Sequence, residues 1–101
     1  MMITKEKIRK GISQGIIRFV TEPGNVEAGI ETGTVCAIGE YWFYFGGQTA
    51  EDETPGEFIK NVDIEDVIND IFTVLEEFRT HGDVFGDEYD YYDAILDEQI
   101  R

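Results

Sequence analysis

The chain has 101 residues, is 42% hydrophobic and 13% aromatic, and carries 22 acidic against 8 basic residues, a formal net charge of -14. A length of this order makes one small domain spanning residues 1–101, and the aromatic content excludes a disordered acidic tail. Negative potential of this size argues against direct binding to nucleic acid or to anionic membranes, which both need positive charge.

The first predicted element is a short N-terminal helix. Thr4 can cap it, and Ile8 and Ile12 recur at helical spacing. Gly11 and Gly15 share that side, which predicts a close backbone approach or an early helix end. Residues Ile16–Thr21 are β-branched and aromatic, as in a strand. Glu22-Pro23-Gly24-Asn25 reads as a turn, and Val26–Ile38 as one bulged strand or two short ones interrupted by Gly29 and Gly33. Gly39-Glu40 fits a type II′ hairpin into the aromatic strand Tyr41–Phe45. Further on, Thr54-Pro55-Gly56-Glu57 has the form of a capping box that opens a short turn through Lys60.

Asp63 caps a longer predicted helix over residues 64–79, with Val62 and Val67 placed as a staple. Ile64, Val67, Ile68, Ile71, Val74, Leu75 and Phe78 keep the 3.6-residue period, joined by Phe72. Glu65, Asp66, Asp70, Glu76 and Glu77 occupy the opposite arc, and Gly82 reads as the C-cap. Asp83–Gly86 reads as a linker, and Asp87 as the cap of a last helix over about residues 88–99. Tyr92, Ile95, Leu96 and Tyr89 would face inward; Asp87, Asp90, Asp93, Asp97 and Glu98 would line the outer face. The sum is an α+β fold: a three- or four-stranded antiparallel sheet from residues 16–45, packed against two to three helices.

The charge is segregated along the chain. Residues 1–20 hold Lys5, Lys7, Arg9, Lys10 and Arg18 against Glu6 alone, whereas residues 51–101 hold seventeen acids and three bases. Carboxylates three or four apart on a helix lie about 5–6 Å from one another. Asp90, Asp93 and Asp97 therefore place one charge per roughly 5 Å of axis, within a factor of about two of the phosphate spacing along a DNA strand. Like charges on one helical face destabilise it slightly, so the pattern asks for a reason; a solvated face is the alternative. Asp70, Glu76, Glu77, Asp87, Asp90, Asp93 and Asp97 are the candidate residues for engaging a basic partner. Trp42, Tyr44 and Tyr91 are the candidates if an aromatic surface carries the interface instead.

Other chemistry has little to stand on. Cys36 is the only thiol and His81 the only imidazole; Cys36 lies in an apolar strand, where an inert buried thiol is the usual outcome. There is no phosphate-binding glycine motif, no serine elbow and no zinc spacing. A calcium loop starting at Asp83 fails at position 3, Phe85, and at position 6, Glu88. No enzymatic activity, cofactor or metal is expected. A lone cysteine, an N-terminus that turns polar at once and the lack of any run near ~20 apolar residues lead us to expect a cytoplasmic protein.

In size and composition the chain resembles the small acidic proteins of phages and mobile elements. Some of those inhibit nucleic-acid enzymes, CRISPR effectors among them, by imitating DNA. The resemblance implies a non-enzymatic acidic protein that engages a basic protein surface, with a nucleic-acid mimic as its sharpest form. The alternative is a structural or homo-oligomeric module that uses the aromatic strand and has no inhibitory role.

Overall fold

In the computed structural model, residues 2–22, 33–48 and 62–101 are described. Their order is α1 (Lys5–Ser13), β1 (Ile17–Glu22), β2 (Gly33–Ile38), β3 (Tyr41–Gln48), α2 (Ile64–Thr80) and α3 (Gly82–Gln99). This is the α+β fold expected. The three strands form an antiparallel sheet in the order β1-β2-β3. The predicted capping box at residues 54–57 and the part of the second strand before Gly33 lie outside the described residues.

Local signals set the helix ends. Thr4 accepts from the N–H of Lys7 and caps α1. At its far end the N–H of Ile16 donates to Gly11 O at 2.9 Å and the N–H of Gly15 to Ile12 O at 3.2 Å. With Gly15 at φ +76°, this is a Schellman motif. Gly15 thus ends the helix. Gly11 serves packing instead: a Cβ there would lie 2.9 Å from Ile17 Cγ1 and 3.0 Å from Leu96 Cδ2. The early helix end holds at Gly15, whereas the close approach at Gly11 is to the side chains of Ile17 and Leu96 and not to another backbone.

The β2–β3 turn has Gly39 at φ +65° and no positive φ at Glu40, the pattern of a type II′ hairpin, and it pairs Ile38 with Tyr41. The register shifts between Gly33 and Val35, opposite Gly46-Gly47, where the sequence carries few side chains to hold a regular ladder. One face of the sheet presents Ile17, Cys36, Ile38, Phe43 and Phe45 to the helices. Against it pack Val67, Ile68, Ile71 and Leu75 of α2, Tyr89, Tyr92 and Leu96 of α3, and Ile3 and Ile8 at α1. The four α2 side chains alone contribute on the order of 6–12 kcal/mol of burial, as an upper estimate. Ile64 is the exception to the predicted apolar stripe and stands exposed in the first turn of α2.

The last helix differs from expectation. Gly82 is its first residue and not a C-cap, residues 83–86 are helical and not a linker, and Asp87 sits inside the helix rather than at its cap. His81 alone separates α2 from α3; its N–H still donates to Glu77 O at 3.0 Å. Glycine inside a helix costs about 1 kcal/mol, so Gly82 and Gly86 read locally as breakers. The burial of Tyr89, Tyr92 and Leu96 outweighs that cost and extends the helix toward α2.

Candidate partner-binding surface

Two cations of the basic N-terminal segment pair with carboxylates of the other helices. Lys7 on α1 reaches α3, with Nζ 2.6 Å from Asp97 Oδ1 and 3.4 Å from Asp93 Oδ1. Arg9 reaches α2, where Nη2 donates to both Glu65 carboxylate oxygens at 2.7 Å while Nη1 donates to Glu6 at 2.9 Å. Lys5 lies over the Phe72 ring, 5.3 Å from its centroid. The hydrogen bond that Lys7 donates to Asp97, helped by the field of Asp93, holds the Lys7 amine above its ordinary value despite its partial burial.

This arrangement redistributes the predicted acidic face. Asp93 is 8% exposed, so it does not belong to the outer face of α3. Asp97 is half-turned toward Lys7. The evenly spaced ladder of Asp90, Asp93 and Asp97 therefore does not form, because two of its three carboxylates hold α1 in place. On α2, Glu76 forms an ion pair with Arg79 at 2.7 Å, which holds its carboxyl below the usual range. The remaining candidates, Asp70, Glu77, Asp87 and Asp90, are exposed and form no ion pair among the described residues. Asp66, Glu88 and Glu98 share that state.

The aromatic candidates separate by strand alternation. Trp42 is 50% exposed on the sheet face turned away from the helices, in register with Ala37 and Arg18. The Tyr44 side chain lies outside the described residues. Tyr91 is half-buried. Its hydroxyl accepts from the Glu40 N–H at 2.8 Å, and its ring meets Tyr41 edge to face at 5.0 Å. The neighbouring Tyr89 hydroxyl accepts from the Ile3 N–H at 2.9 Å, so both tyrosines tie distant segments to α3. Tyr92 is buried, and desolvation pushes its phenol up to about 12.

Sequence reasoning missed Lys7 as a clamp. Its spacing offered a signal: Lys7 lies four residues before Gly11, on the side of α1 that meets Leu96, and Leu96 lies between Asp93 and Asp97. Joining those two patterns needs the packing of α1 on α3.

Cys36 is fully buried, and burial raises its thiol far above the ordinary range; His81 is exposed between α2 and α3, and no hydrogen bond joins the two. No group of three or more potential metal ligands clusters among the described residues, and no helix there is long and apolar enough to cross a membrane. A polar cleft of about 830 Å³ lies where α1 ends, lined by Gln14, Gly15, Ile16, Glu98, Gln99 and Arg101. The Gln14 amide spans its rim, accepting from Arg101 N–H at 2.9 Å and donating to Arg101 O at 3.3 Å. No family model, curated protein or solved structure matches this chain.

Proposed function

We propose that this is a non-enzymatic acidic protein that engages a basic protein surface through the outward carboxylates of α2 and α3. One observation carries the reading. Lys7 and Arg9 of α1 are paired with Asp93, Asp97 and Glu65, and Asp66, Asp70, Glu77, Asp87, Asp90 and Glu98 are left exposed without an ion pair among the described residues. Fixed charge of one sign on rigid helices steers a partner of opposite sign and raises its association rate, with steep dependence on salt. A basic nucleic-acid-handling protein is one such partner. Strict imitation of a phosphate backbone has less support, since the regular ladder on α3 loses Asp93 and Asp97 to Lys7.

The test pairs the tagged wild-type protein with a variant carrying Asp70→Asn, Glu77→Gln, Asp87→Asn and Asp90→Asn. Both serve as bait in cell lysate at low salt, followed by a salt gradient. The reading expects a stoichiometric basic protein that leaves the wild type as salt rises and that the variant does not hold. Partners kept equally by both baits through high salt would overturn it.

A second reading rests on the outer sheet face, where Val20 and Trp42 are exposed large apolar side chains. There the chain would associate with itself and its charge would serve solubility. Sedimentation at high concentration separates the two, because a strict monomer removes this second reading.

A further inference from the structure

We propose that the corner where the β2–β3 turn meets α3 is an arginine-binding site, at which the exposed ring of Tyr41 receives a guanidinium of a basic protein segment. The inference rests on the acidic-partner reading above and names the side chain that the surface selects. Tyr41 is 53% exposed, yet its ring is fixed by the edge-to-face contact with Tyr91 at 5.0 Å and 79°. Tyr91 is fixed in turn by the 2.8 Å hydrogen bond from Glu40 N–H. The approach is so close that a Cβ at Gly39 would collide with the Tyr91 ring. The platform is thus pre-ordered, and a ligand need not immobilise it.

Exposed carboxylates flank Tyr41 and Tyr91 along the chain. Glu40 is exposed in the turn itself, and Asp87 and Glu88 are exposed four and three residues before Tyr91 on α3. Helical side chains tilt toward the N-terminus, so Tyr91 leans over the turn that carries these two acids. Arg18 approaches the hairpin from the opposite sheet face, where Nη2 donates to Gly39 O at 3.1 Å. A planar guanidinium can stack on an aromatic ring while its N–H groups reach carboxylates in its plane; a lysine ammonium lacks that fork. An apolar occupant would strip water from Glu40, Asp87 and Glu88 without replacing their hydrogen bonds. Charge complementarity therefore selects arginine.

Calorimetric titration with an octa-arginine and an octa-lysine peptide tests this, using wild type, Tyr41→Ala and Tyr41→Phe. The arginine peptide should bind wild type more tightly. Tyr41→Ala should weaken the arginine peptide about two- to fivefold and leave the lysine peptide nearly unchanged, while Tyr41→Phe, which keeps the ring, behaves as wild type. Glu88→Gln is the second variant, on an exposed residue, and should narrow the preference for arginine. If both peptides bind alike and neither Tyr41→Ala nor Glu88→Gln changes their ratio, the arginine site is overturned and the acidic-partner reading stands. If neither peptide binds at low salt, both are overturned.

Discussion

Replacing Lys7 by methionine keeps the length and most of the apolar stem of the side chain and removes its ammonium. Asp93 and Asp97 then lose the Lys7 ammonium while Asp93 stays enclosed between α1 and α3. Breaking one side of a fully buried ion pair costs about 3–5 kcal/mol, and an exposed pair is worth about 0–1 kcal/mol. Here the Lys7, Asp93 and Asp97 side chains are 24%, 11% and 24% exposed, between those limits. The expected loss is therefore about 2 kcal/mol. In a domain of this size that lowers Tm by about 8–16 °C, and it moves a urea midpoint by roughly 1 M at unchanged slope. Urea titration followed by circular dichroism measures it. Lys5→Met is the comparison, with the same change of charge on the same helix and only an exposed contact to Phe72 to lose. Adding Asp93→Asn and Asp97→Asn to Lys7→Met should restore part of the loss, since the cost lies in carboxylate charge that has lost the Lys7 ammonium. A Lys7→Met protein no less stable than Lys5→Met would show that α1 is held by its apolar residues alone, and the clamp would be refuted.

The remaining predictions concern pH, the hairpin and the thiol. Lys7 and Tyr92 both keep their protons longer folded than unfolded, so each contributes stability below its unfolded value, near 10, that is lost as pH rises. Buried Cys36 adds to this with the same sign from its unfolded value near 9, so thermal melts should fall from about pH 9 upward, with the Tyr92 contribution lost by about 12; a flat profile over that window contradicts these assignments. Gly39→Ala forces a side chain into positive φ and against Tyr91, and should cost about 2–3 kcal/mol; a Tm within roughly 2 °C of wild type would be incompatible with the turn. Cys36 should react with a thiol reagent only as fast as the protein opens, and rapid labelling under native conditions would contradict its burial.

The sequence by itself determined the elements whose signals are local. Thr4 and Asp63 accept from the backbone two or three residues on and set where α1 and α2 begin. The 3.6-residue stripe of α2 chose its buried face, and a glycine at the first turn position chose the β2–β3 hairpin. Period and capping depend on neighbours within a turn, so they are legible before any packing is known. What only the tertiary structure decided is where each charge points. Asp90 and Asp93 are alike in sequence, three residues apart on one helix. One faces water and the other faces Lys7, because α1 packs on α3 through Gly11 and Leu96. The early start of α3 has the same origin, since distant burial of Tyr89, Tyr92 and Leu96 outweighs the local cost of its glycines. The corner of Glu40, Tyr41 and Tyr91 joins residues about fifty positions apart through one hydrogen bond and one ring contact. A long-range contact depends on the summed burial of the whole core, and no local pattern records that sum.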